Sequence, residues 1–187
     1  GKEFVMKPMY LFILSLWLLG SCQSIKHVDP QQAAATKALV AEGPFEMVFS
    51  RAHPLTTKEM TQLSATNLLP VESRSGMINM VGMANYVRKY GDSLSVFLPY
   101  YGTRQMSGRY NDSNGAIAFE GIPKTYDVMY DDAQQETNVK ISFKDLEGEQ
   151  YQVWATVQAN GQVHARVNSS QRTSISYTGE VSKFKQQ

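Results

Sequence analysis

The chain has 187 residues, of which 42% are hydrophobic, 11% aromatic and 19% charged, with 18 basic against 17 acidic side chains. That suits one domain with a real core, and the near balance of charge excludes the broad basic face that a nucleic-acid binder needs. A single cysteine excludes an internal disulfide framework and any multi-cysteine metal site.

The first distinctive segment is Tyr10–Leu19, almost purely apolar and uncharged, preceded by Met6-Lys7-Pro8 and followed by Gly20-Ser21-Cys22. Crossing ~30 Å of hydrocarbon takes roughly 20 apolar residues. This run is about half that, which fits the apolar region of a secretion signal. Leu19-Gly20-Ser21-Cys22 resembles the lipobox of bacterial lipoproteins, in which the leader is cut before the cysteine and the new terminus is acylated. Residues 1–21 therefore read as a signal peptide and Cys22 as the lipidation site. Met6 is the better start of such a leader, so Gly1–Val5 read as an over-extended start or a cloning remnant. Setting aside Lys2, Glu3 and Lys7 leaves 16 basic and 16 acidic side chains, a formally neutral mature chain.

Residues 22–43 read as anchor and tether. Gln31–Ala41 holds good helix formers with a thin, mostly alanine apolar face, and Gly43-Pro44 stops it. It is either a short helix resting on the domain or a flexible spacer. The folded domain is expected over 44–187. Phe45, Met47 and Phe49 alternate with polar or smaller residues, a strand that ends near His53-Pro54. Thr56 and Glu59 have capping-box spacing, with a helical turn over 57–64 directing Met60 and Leu63 inward.

Beyond Pro70, strand follows strand: Met77–Val81, Asn85–Tyr90, then Leu94, Val96 and Leu98 in alternation, Ala116–Glu120, Tyr126–Tyr130, Val139–Phe143, Tyr151–Val157, Val163–Val167, and Ile175 to Val181. About eight to ten short strands with no helical pattern between them predict an all-β antiparallel meander closing into a small barrel or sandwich, with a short helical segment near the N-terminus. Asn160-Gly161 invites a two-residue hairpin turn, but that would set apolar against polar residues along the ladder. A three-residue loop, 159–161, pairs Val157 with Val163, Ala155 with Ala165 and Val153 with Val167. Burial decides register, so the longer loop is expected, with Trp154 opposite Arg166 as a cation–π pair.

Three motifs in this strand series are Leu98-Pro99-Tyr100-Tyr101-Gly102, Gly115-Ala-Ile-Ala-Phe119 and the closing Arg172-Thr-Ser-Ile-Ser-Tyr-Thr-Gly-Glu180. Together with the lipobox they resemble the domain of unknown function 4251 family, envelope lipoproteins of Bacteroidota-type bacteria, over roughly Phe45 to Val181. The stretch 56–83 departs from that pattern. The resemblance implies an all-β fold and an envelope address, through acyl chains in the outer membrane, and no activity or catalytic residue.

Tyr100 and Tyr101, beside a proline and a glycine, are the best ligand-site candidates, because aromatics at a strand end can form a platform. Alternatively they plug the end of the barrel. Arg104 and Arg109 in the following loop could bind an anion or be solvated. His27, His53 and His164 have no partners at metal-ligand spacing, so no metal and no cofactor are expected. Asp131, Asp132, Asp145, Glu147 and Glu149 fall in predicted turns, where solvation is the default. The expected function is a non-catalytic binding or structural module for a small apolar or glycan ligand or an envelope protein, not for nucleic acid. The alternative is a hydrolase of envelope glycan or peptide built on paired carboxylates.

Overall fold

Alternation along short segments yields ten strands in the computed structural model, which describes residues 28–55, 76–102 and 115–185. Asp29 caps helix α1 (Pro30–Glu42) by accepting a hydrogen bond from the Gln31 amide, and Pro30 occupies the first turn. The strands are β1 (Phe45–Pro54), β2 (Ile78–Asn79), β3 (Tyr86–Tyr90), β4 (Ser93–Leu98), β5 (Ile117–Gly121), β6 (Thr125–Asp131), β7 (Glu136–Lys144), β8 (Gln150–Gln158), β9 (Gln162–Ser169) and β10 (Ile175–Lys183). They form one antiparallel sheet in the order β5-β4-β3-β1-β10-β9-β8-β7-β6, with β2 beside β1. The all-β expectation holds, and the sheet is a curled half-barrel. Two meanders, β3 to β5 and β6 to β10, flank the first strand. A three-residue link, 122–124, joins the two edge strands, and Phe119 of β5 stacks on Phe143 of β7 at 4.6 Å.

The concave face is packed. Every second residue of β7, β8 and β9 is buried, as the period of two requires. Phe143 stacks in turn on Tyr151 at 5.2 Å. Each fully buried aliphatic or aromatic side chain contributes about 1.5–3 kcal/mol. Helix α1 rests on the sheet despite its thin apolar face. Only Val40 is fully buried, and polar contacts add to it. Lys37 lies 3.7 Å over the Tyr130 ring, and Thr36 Oγ1 donates to the Ala159 carbonyl.

The β8–β9 hairpin has the three-residue loop, with Val157 facing Val163, Ala155 facing Ala165 and Val153 facing Val167. Gly161 sits at φ 86°, which a bulged loop of this length needs and a side chain resists. Trp154 does face Arg166, but the cation over its ring is Lys140 of β7, at 4.8 Å. Arg166 instead donates from Nε to Ser174 Oγ. Arg166 is held away from the ring by its hydroxyl partner, and the cation over Trp154 comes from the strand on the other side of β8.

Strand β1 carries a bulge at Ser50, where its pairing with β10 skips from Phe49–Gly179 to Arg51–Thr178. Burial follows: Phe45, Met47 and Phe49 point inward, then Ala52 and Pro54, three residues further on rather than two. A side chain at Gly179 has no room, because a Cβ would stand 2.0 Å from the Val48 carbonyl oxygen. The bulge also cuts short the strand expected over 77–81. Only Ile78 and Asn79 pair with β1, and Met80 closes the segment by donating to the Ser50 carbonyl. Asn85, buried, replaces the missing ladder. Its Oδ1 accepts from the Phe49 amide at 2.7 Å and its Nδ2 donates to the Phe49 carbonyl at 2.9 Å. The helical turn expected over 57–64 lies outside the described residues.

Gly179→Ala should lower the urea midpoint by an amount corresponding to about 1–3 kcal/mol, the usual cost of forcing atoms into a filled space. An unchanged midpoint would mean that the bulge does not need the glycine.

Candidate functional site

The residues singled out in the sequence motifs converge at one end of the half-barrel. Leu98 ends β4 fully buried, and the Pro99 carbonyl accepts a hydrogen bond from the Tyr177 hydroxyl at 2.9 Å. Burial, foremost, raises the Tyr177 phenol well above its ordinary value, so it remains a donor. The Tyr100 hydroxyl reaches the Thr173 carbonyl at 3.0 Å. The Arg172 guanidinium lies 5.1 Å from the Tyr100 ring centre and 5.9 Å from that of Tyr151. Arg172 is 6% exposed, and its Nη1 donates to the Gly115 carbonyl, so all three motifs meet on this one cation. The Tyr101 hydroxyl donates to Met83 Sδ at 3.4 Å. Tyr100 and Tyr101 are thus engaged within the chain. Arg104, Arg109, Cys22 and His27 lie outside the described residues.

Glu149 is not a solvated turn carboxylate but wholly buried, at 0% exposure. Asp145 folds the turn back by accepting from the amides of Glu147 and Glu149, and this drives the Glu149 side chain inward. Arg172 Nε donates to both of its oxygens, at 3.1 and 3.3 Å, and Ser169 Oγ donates to Oε1. Burial alone would raise this carboxyl. The Ser169 and Arg172 hydrogen bonds and the Arg172 charge outweigh it and hold the group below the usual carboxylate range.

The convex face is different. Beside the bulge an open groove of about 770 Å³ runs over β1, β10 and β9, walled by the turn Met80–Met83. Its floor offers Ser50, Thr178, His164 and Gln162, and its rim offers the exposed apolar Val48, Val81 and Met83. Next to it, towards the far end of β1, a cleft of about 140 Å³ lies between His53, Pro54, Leu55, Arg166, Ser174 and Ser176. His53 Nε2 and Thr178 Oγ1 are hydrogen-bonded at 2.7 Å. Burial, then the positive fields of His164 and Arg51, hold the His53 ring below the ordinary imidazole range. Among the described residues no three His, Cys, Asp or Glu side chains are grouped to hold a metal ion.

The sequence reading treated His53 and His164 as isolated, although 111 positions of separation are closed by one intervening strand. The signal that could have joined them is the slip in apolar spacing from Phe49 to Ala52, which marks the bulge and sends Arg51 and His53 outward. Nothing local announced the Glu149–Arg172 pair, which spans 23 residues and two strands.

A single antiparallel half-barrel with one helix packed against it, a buried ion pair at one end and an open groove on its convex face defines the chain as an all-β domain. The chain belongs to the family described as Domain of unknown function (DUF4251), which it matches over residues 27–181. No curated protein and no solved structure matches it.

Glu149→Gln should cost about 3–5 kcal/mol of stability, because it leaves a buried guanidinium uncompensated. The wild type draws stability from this carboxylate above its unfolded pKa and loses it as pH falls through the lower folded value. Urea melts between pH 7 and pH 3 should therefore show an acid loss in the wild type that the variant lacks from this group. Parallel pH profiles would contradict the assignment.

Proposed function

We propose that this chain is a lipid-anchored protein of the bacterial cell envelope, moored in the outer membrane by acyl chains on Cys22, with a non-catalytic binding module as its folded part. The observation that carries the binding reading is the groove beside the β1 bulge. Its position is built by Gly179 and Asn85, two residues with no other outward function, and bulges commonly re-aim side chains next to functional sites. A floor of hydrogen-bonding side chains, with Arg51 and Glu180 beside them, under an apolar rim suits a ligand with both characters, such as an envelope glycan.

The non-catalytic half rests on the Glu149 carboxylate. A glycoside or peptide hydrolase working with paired carboxylates needs one of them raised to serve as an acid. Glu149 is saturated with donors and held low. The anchor rests on the leader and Leu19-Gly20-Ser21-Cys22. Two or more acyl chains, each methylene contributing ~0.8 kcal/mol, suffice for stable attachment. Among the described residues no helix is long and apolar enough to cross a membrane.

Mass spectrometry of protein extracted from native membranes should find an N-terminal peptide that begins at Cys22 and carries acyl groups. A free thiol with residues 6–21 still attached would overturn the anchor. Incubated with fragments of envelope glycan, the protein should retain ligand and return it chemically intact, and Thr178→Arg in the groove floor should lower retention at least tenfold. Cleavage products that accumulate with time would overturn the non-catalytic reading.

A further inference from the structure

The convex face carries a charge arrangement that the neutral mature chain does not announce. Strand β10 presents Ser176 and Thr178 outward, flanked by β1 on one side and β9 on the other. His53 faces Ser176 and Arg51 faces Thr178 from β1. Arg166 faces Ser176 and His164 faces Thr178 from β9. Two guanidiniums and two imidazoles therefore frame two hydroxyls in a block two residues long and three strands wide, about 10 Å across. The acid nearest this block on the three strands is Glu180, one outward position further along β10 and opposite Gln162. Neither arginine is ion-paired among the described residues. Like charges gathered on a sheet face are unfavourable unless something of opposite sign joins them.

Half of the block lines a shallow, open cleft. His53, Arg166, Ser174 and Ser176 surround the 140 Å³ cleft, with Pro54 and Leu55 as its apolar side. Arg166 is set in place there. Its Nε donates to Ser174 Oγ at 3.2 Å, and Ser174 Oγ is itself fixed by donating to Asn168 Oδ1 at 2.8 Å. A guanidinium anchored through Nε is suited to offer its terminal nitrogens to an oxyanion as a fork.

We propose that the cleft between His53 and Arg166 binds a phosphate group, with Arg51 supplying long-range charge from the adjoining groove. The proposal rests on the binding-module reading and names a chemical group on its ligand. A phosphate matches the site in number as well as sign, since it offers three or four acceptor oxygens to the two terminal guanidinium nitrogens, the imidazole and the Ser176 hydroxyl. A carboxylate would satisfy fewer of them. The depressed His53 ring adds support: burial first, then the neighbouring His164 and Arg51, disfavour its charged form, and a bound anion would favour it.

The test is a titration of the whole mature chain with inorganic phosphate at constant ionic strength, read on the histidine ring signals by NMR, with sodium chloride as the control. Saturable shifts at His53 are expected with phosphate and not with chloride, and phosphate should move the His53 titration midpoint upward. Arg166→Gln should weaken binding at least tenfold, the loss of one charge-assisted contact, and Arg51→Gln less. Lys140→Gln, on the same convex face but outside the cleft, should bind as the wild type does. Vesicles of phosphatidylcholine with and without phosphatidic acid, offered to the mature chain produced without acyl groups, then distinguish a lipid headgroup from a soluble phosphate: co-sedimentation only with phosphatidic acid assigns the former, and binding of phosphate but not vesicles the latter. Equal shifts with phosphate and chloride, or an Arg166→Gln variant that binds normally, would overturn the proposal. If glycan retention persists under that outcome, the binding-module reading stands. If phosphate binds while no glycan is retained, the groove reading fails and the cleft remains.

Discussion

At Gly179 the backbone of β10 lies so close to β1 at Val48 and Phe49 that a Cβ would stand 2.0 Å from the Val48 carbonyl oxygen. This approach admits no side chain, and it lets one extra residue, Ser50, enter β1 without parting the strands. Because the side-chain period of a strand is two, that one residue reverses which face everything after it occupies. Ahead of the bulge Phe45, Met47 and Phe49 fill the core. Behind it Ala52 and Pro54 do, and Arg51 and His53 are turned outward. Without the insertion the arginine and histidine would be driven into an apolar core with no counter-charge.

The same insertion interrupts the edge of β1 that faces β3. Backbone donors and acceptors cannot be left unmet in a buried place, and Asn85 meets them with its side-chain amide. The turn Met80–Met83 is displaced outward and becomes a wall. Groove, cleft and basic block are thus consequences of one backbone irregularity, which is why they lie together on the convex face.

The other end of the half-barrel follows a different logic. There the chain buries an arginine and a glutamate together, and it uses aromatic rings, a serine and a carbonyl to satisfy them. A buried pair of this kind adds little net stability over an apolar substitute, but it is costly to half-remove. It ties the turn before β8, the start of β10 and the segment entering β5 to one point. Its rigidity and neutrality suit an architectural role, whereas on the convex face Arg51 and Arg166 have no ion-pair partner among the described residues.

By itself the sequence determined most of the strands and the register of the β8–β9 hairpin, and offered the helix as one of two readings, because these depend on patterns local enough to read: alternation, a run of helix formers stopped by Gly43-Pro44, and the matching of Val157 with Val163 around three residues. It also supplied the short apolar run and Cys22 on which the proposed anchor rests, a matter of composition and order alone. Tertiary structure decided what the side chains do. Glu149 looked like a solvated turn residue and is the most deeply buried acid described. Trp154 took its cation from β7 rather than β9. His53 and His164, far apart along the chain, were brought to either side of one threonine. The reason is that strand pairing fixes distances between residues with no sequence proximity, and the curl of the sheet then selects which of those neighbours share water and which share the core.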